Sequence, residues 1–169
     1  VYLSEVQLLR GFKVDDSGSS FNKNGYFIEP LPFNFYDKNA VRLAFYAETY
    51  HSIRHIAAEG YLVRYFIEQE KGNGIRQMVL MGNQKKKPTP IDAILVQMDI
   101  SKLESGNYTL TVELRNPANE LLNFRQVSFQ RSNPFLQVKE SDLTEELVAK
   151  QFVQDLDEKA LRFSLRAIG

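Results

Sequence analysis

The stretch from Asn107 to Arg115 alternates without a break. Tyr108, Leu110, Val112 and Leu114 hold one parity, and Thr109, Thr111, Glu113 and Arg115 hold the other. A helix would scatter those apolar side chains around its axis, whereas an extended strand gathers them on one face. The spacing therefore predicts a strand with one buried side. Ser105-Gly106 supplies a turn before it. Asn116-Pro117-Ala118-Asn119 supplies one after it, because Pro117 cannot donate to a central ladder. Leu121 to Phe129 reads as the returning strand of a hairpin. Its apolar phase slips between Phe124 and Val127, which predicts a bulge near Arg125-Gln126.

The same pattern recurs upstream. Val6, Leu8, Phe12 and Val14 keep one parity, with Arg10 breaking the face. Val41, Leu43, Phe45 and Ala47 share a face, and Tyr46 and Tyr50 lie on the opposite one. Tyr61, Val63, Tyr65 and Ile67 form another face, as do Ile94, Val96, Met98 and Ile100, and Met78 to Met81 is a short apolar run. Turn-forming stretches separate these at Asp15 to Gly18, Lys71 to Gly74 and Gly82 to Pro90. Tyr26 to Asn39, interrupted by Pro30 and Pro32, predicts an edge strand crossing into Val41. Many short strands with turns between them indicate an antiparallel sandwich or barrel rather than βαβ units. Twelve Phe and eight Tyr, residues that suit pleated and half-buried surfaces, point the same way.

Beyond Pro134 the period changes. Asp142 and Glu145 fit a capping-box variant, and Leu143, Leu147, Phe152 and Leu156 fall near one helical face. Asp157 is placed to cap a second helix carrying Leu161, Leu165 and Ile168. The expected organisation is a β-sandwich over residues 1–135 and a helical tail over 136–169. That tail either packs on the sandwich or begins a following domain.

Bulk properties narrow the chemistry. The 21 basic and 21 acidic residues cancel, so the chain lacks the basic excess that phosphate neutralisation demands of a nucleic-acid binder. With no Cys, disulfides, thiolate zinc sites and Cys nucleophiles are excluded. No apolar run approaches the roughly 20 residues of a membrane helix. Phosphate-binding loops, dinucleotide fingerprints and the Gly-x-Ser-x-Gly elbow are missing, and no cofactor is implied. Asp92 and Asp99 sit at odd spacing on one strand, which sends them to opposite faces and not across one glycosidic bond.

Three sets of residues remain as candidates. His51 and His55, at i and i+4, have a spacing common among metal ligands, but they need a third donor; the plainer reading is a polar connecting loop. Tyr46, Tyr50, Tyr61 and Tyr65 fall on two strands expected to be neighbours. If exposed they form an aromatic platform for a sugar ring or a protein, and if inward they line the core. Lys85-Lys86-Lys87 reads as a solvated loop tip.

Four stretches taken together carry a resemblance: Phe21-Asn22-Lys23-Asn24-Gly25-Tyr26, Leu43 to Tyr50 (Leu-Ala-Phe-Tyr-Ala-Glu-Thr-Tyr), Asp99 to Tyr108 (Asp-Ile-Ser-Lys-Leu-Glu-Ser-Gly-Asn-Tyr), and Phe129-Gln130-Arg131-Ser132-Asn133-Pro134. They resemble the region upstream of the GWxTD domain in exported proteins of Bacteroidetes. The resemblance implies an immunoglobulin-like antiparallel sandwich of about seven or eight strands. It also implies a periplasmic, outer-membrane-associated or extracellular setting, without an established activity. The motif that names that family is absent, and the chain has no Trp, so no functional residue is carried over. The expectation is a non-catalytic structural or protein-interaction module of a larger exported bacterial protein. The alternative is a carbohydrate-binding module using the tyrosines.

Overall fold

A computed structural model describes residues 1–16, 22–50 and 59–136. Contacts divide the chain into two units, Val1–Asn133 and Pro134–Gly169. Every strand described belongs to the first unit. The helices expected after Ser141 lie outside the described residues.

The strands are β1 (Tyr2–Leu3), β2 (Gln7–Val14), β3 (Asn22–Lys23), β4 (Tyr26–Pro30), β5 (Phe35–Tyr36), β6 (Arg42–Tyr50), β7 (Tyr61–Glu70), β8 (Arg76–Lys86), β9 (Ile91–Asp99), β10 (Gly106–Arg115) and β11 (Leu121–Arg131). They form two sheets. In the first, β6 pairs with β9 on one side and with β1 and β2 on the other, and β2 continues to β4 and β3. The second runs β5-β11-β10-β7-β8, antiparallel except where β5 joins β11. The chain changes sheet between β4 and β5, β5 and β6, β6 and β7, β8 and β9, and β9 and β10. Several strands adjacent in sequence thereby belong to opposite sheets. The protein is mainly β, with two sheets arranged as a sandwich.

The alternating faces meet in one core. Leu43, Phe45 and Ala47 of β6 and Ile94, Val96 and Met98 of β9 pack with Val63 and Ile67 of β7, Leu110, Val112 and Leu114 of β10, and Phe129 of β11. A second, smaller cluster lies on the other face of the first sheet, where Leu9, Ile28, Ala44 and Tyr46 are buried with Phe12, Tyr26, Ala93 and Leu95 around them. This explains why β6 reads as an almost unbroken apolar run: both of its faces are covered.

Bulges account for the broken phases. In β2, Leu9 pairs with Pro30 and Gly11 with Glu29, leaving Arg10 as the extra residue. One inserted residue exchanges the faces. Leu8 consequently joins the main core while Phe12 joins the outer cluster. In β11 the irregularity falls at Leu122, since Leu114 pairs with Asn123 and Arg115 with Leu121. The bulge expected at Arg125-Gln126 is not there; Thr111–Gln126 and Val112–Arg125 pair regularly. Two further expectations are corrected. Residues 82–86 are strand and not turn, and Tyr26 to Asn39 is split into β4, a short 3-10 turn at Pro32–Asn34, and β5.

Tyrosine hydroxyls tie the layers. Tyr36 of β5 reaches across to donate to the carbonyls of Leu9 (3.3 Å) and Ala44 (3.5 Å). Tyr108, at the start of β10, donates to the carbonyl of Glu104 at 2.6 Å, the tyrosine-corner arrangement of Greek-key sandwiches. Arg131 and Asn133 close the same end. The Arg131 guanidinium donates to the carbonyls of Asp37 and Ala40, and the Asn133 amide to those of Ser101 and Leu103.

Candidate functional site

The four tyrosines do not form a platform. β6 and β7 lie in different sheets, so the expected neighbour relation fails. Tyr46 and Tyr61 are each only 3% exposed, too little surface for a stacked sugar. The half-buried Tyr65 ring packs edge-on to Phe45 against the core, with centroids 5.7 Å apart. Tyr50 is half-buried against Tyr2.

The hydroxyls of these residues have structural partners. Tyr46 donates to Glu48 at 2.5 Å, Tyr50 donates to the same carboxylate, and Asn24 bonds to both the Tyr46 hydroxyl and Glu48. Lys23 lies over the Tyr46 ring, 5.6 Å from its centroid. The network pins the β3–β4 hairpin to the outer face of β6. Desolvation works to raise the Glu48 pKa, but donation from Tyr46 and Tyr50, with the charge of Lys23, holds its carboxyl below the usual range. Tyr61 bonds Thr49 at 2.9 Å and donates to Asp92 at 2.7 Å. Lys86 reaches Asp92 at 3.3 Å and donates to the Ala93 carbonyl at 2.7 Å. The central lysine of the basic run is therefore an inward tie between sheets, not part of a loop tip. Asp99 lies on the outer face of β9, away from Asp92, as the odd spacing requires.

His51 and His55 lie outside the described residues. Among the described residues no three His, Cys, Asp or Glu side chains are grouped to hold a metal ion. No helix among them is long and apolar enough to cross a membrane.

What the surface does offer is an edge. Strand β8 is 11 residues long and, among the described residues, pairs only with β7, from Tyr61–Lys86 to Glu70–Arg76. On its other side no described strand pairs with its backbone donors and acceptors. Val79 is an extra residue there, since Ile67 pairs with Leu80 and Glu68 with Met78. Leu80 packs on the core, and Gly82 leaves room for the Tyr65 ring, which occupies the place a side chain would take. Ile75, Met78 and Met81 stay 62%, 43% and 57% exposed along the strand and the turn that leads into it.

The charge along this edge has one sign. Residues 71–91 contain Lys71, Arg76, Lys85, Lys86 and Lys87 and no Asp or Glu. Lys86 is occupied by Asp92, and Arg76 stands opposite Glu70. Lys85 and Lys87 are exposed and make no ion pair among the described residues. The sequence pattern marked Met78 to Met81 only as a short apolar run and Lys85 only as part of a solvated loop tip, and joined neither to a site. The available signal was the 21-residue interval without a carboxylate in a chain whose total charge is zero.

The other long edge, β9, is different: Ile91 is its one exposed large apolar residue, Ile94, Val96 and Met98 are buried in the main core, and Ala93 and Leu95 pack against the second cluster. A groove of about 510 Å³ opens elsewhere, between Arg10, Pro32, Phe33, Val41 and Arg42. Phe33 at its rim is fully exposed in a left-handed conformation (φ 58°, ψ 12°).

Compared with known proteins, the chain fits no family model and matches no curated protein. Among solved structures it is similar to the soluble domain of PmoD from a Methylocystis species, at 9% identity and a TM-score of 0.41 over 75% of this chain and 89% of that one. It is also similar to the CARDB domain of a Pyrococcus furiosus protein, determined in complex with di-metal ions, at 11% identity and a TM-score of 0.37 over 59% of this chain and 86% of that one. At these identities and scores the likenesses assign neither ligand nor chemistry to this chain.

Proposed function

We propose that this chain is a non-catalytic protein-interaction module, an immunoglobulin-like sandwich within a larger exported bacterial protein, and that it engages its partner along the open edge of β8. The carrying observation is that edge: 11 residues that no strand among the described residues pairs with on one side, and exposed Met78 and Met81 beside them. The immunoglobulin-like assignment is supported by the division of β6 and β9 from β7, β10 and β11, and by the Tyr108 corner. The non-catalytic reading is supported by the structural use of three carboxylates: Glu48 holds Asn24 of the β3–β4 hairpin, Asp92 holds Tyr61 of the other sheet, and Glu113 pairs with Arg115 on its own strand. The exported setting rests on the resemblance of four sequence stretches to the region upstream of the GWxTD domain.

A photo-crosslinking side chain at position 81 in the full-length protein, in cell-envelope material from its source, is expected to give a discrete protein adduct. The same group at Gln97, on the β9 edge, is expected to give none. Equal labelling from both positions, or none from position 81, contradicts an interface at β8.

A further inference from the structure

Resting on that reading, we infer that β8 accepts an acidic, extended segment of a partner protein as an added strand. Two properties of the edge select this occupant.

The first is what the edge repels. Strand edges are commonly guarded against self-association by lysines and bulges, and β8 carries both, in Lys85 with its neighbour Lys87 and in the extra residue Val79. A second copy laid antiparallel about Met81 would set Arg76 against Lys86, and a parallel copy would set Lys85 beside Lys85. Like charges directly opposite across a sheet are destabilising. With no carboxylate anywhere from 71 to 91, no register between two copies of this stretch sets a cation against an opposite charge. The edge therefore gains no charge pairing from a second copy and is open to the opposite charge.

The second is what the edge can hold besides charge. Met81 and Lys85 point to the outer face of the second sheet, the face that carries Phe66 and Arg64 of β7, whose side chains pack together with the guanidinium 5.4 Å from the ring centroid. An added strand would lay alternate side chains beside Met78 and Met81, whose unbranched thioethers adapt to varied shapes. Main-chain bonds to β8 would supply affinity that does not depend on partner sequence. Carboxylates near Lys85 and Lys87 would supply selection and speed encounter. A nucleic acid would use only the charge and leave the backbone donors and apolar side chains of β8 unmatched.

The test uses the full-length protein and synthetic peptides of alternating Thr and Val. Three versions carry glutamates, glutamines or lysines at both ends, and a fourth is the glutamate peptide N-methylated at every residue so that neither edge can donate. The glutamate peptide is expected to bind more tightly than the glutamine peptide, with affinity falling as salt rises. The lysine and N-methylated peptides are expected not to bind. Lys85→Glu/Lys87→Glu, at two exposed positions, is expected to lower affinity for the glutamate peptide by roughly tenfold or more. Equal binding of glutamate and glutamine peptides, or no effect of the double substitution, overturns the acidic assignment and leaves an edge interface standing. Binding that survives N-methylation, or is matched by single-stranded DNA, shows charge attraction without strand addition and overturns the inference. Failure of every peptide rejects strand addition at β8 altogether.

Discussion

Tyr46→Ala is expected to destabilise the protein by about 3–5 kcal/mol, the range for emptying a buried aromatic site. Its ring is 3% exposed within the outer cluster of Leu9, Ile28 and Ala44, and its hydroxyl supports Glu48 and Asn24. The alanine variant loses the packing and leaves Glu48 without one of its two phenolic donors, so the β3–β4 hairpin should loosen with it. Tyr46→Phe keeps the ring and removes only the hydroxyl bonds, at a cost of about 1 kcal/mol. Denaturant midpoints of the two variants against the parent measure the difference. A tyrosine that served as an exposed sugar platform would instead be removable at little cost in stability, so an alanine variant as stable as the parent would reverse the assignment of Tyr46 to the interior.

The second large effect is alkaline unfolding. Desolvation on burial pushes the Tyr108 phenol up from 10.0 to about 12. It also raises Tyr36, Tyr46, Tyr61 and Tyr65. An unfolded chain releases these protons near pH 10, while the folded chain keeps them to higher pH. Between the two, the unfolded state binds fewer protons, so stability falls as pH rises. The contribution is complete below pH 10 and, for Tyr108, is lost as pH climbs through about 12. All five groups act in the same direction over the same alkaline range, so their losses reinforce one another. Thermal melts are expected to hold level to pH 10 and then drop steeply, with the absorbance of these five tyrosinates appearing in the same cooperative step as loss of strand signal. Ionisation of all five phenols without unfolding would mean that they are accessible.

How far the sequence could be read depended on where each partner lay. β10 was legible because its alternation and both bounding turns are local. Leu43, Phe45 and Ala47 were grouped correctly on one face by the same parity rule, whereas Val41, grouped with them, lies exposed just ahead of β6. The covered state of Tyr46 was not legible, because the hairpin over it comes from residues 22–30 and its attachment through Asn24 is a contact across 22 positions. Residues 82–86 looked like a turn because Gly-Asn-Gln-Lys-Lys is polar. They form a strand because Gly82 makes room for Tyr65, and Lys86 finds Asp92 in the other sheet. In β11 the apparent slip is no bulge. Phe124 lies on the exposed parity at 50% exposure, while Arg125 turns toward Tyr2 and Glu5. The edge of β8 was hidden for a related reason: openness belongs to strand order, which no local pattern encodes, and only its charge was written in the sequence.

Hydrogen–deuterium exchange of the full-length protein, with and without the glutamate-ended peptide, tests the central assignment most directly. β8 amides that face away from β7 should exchange quickly in the free protein. They should become protected on binding, while β9 and the groove beside Phe33 keep their rates. Protection at β9 or at that groove, with β8 unchanged, would contradict the assignment of the interface to β8.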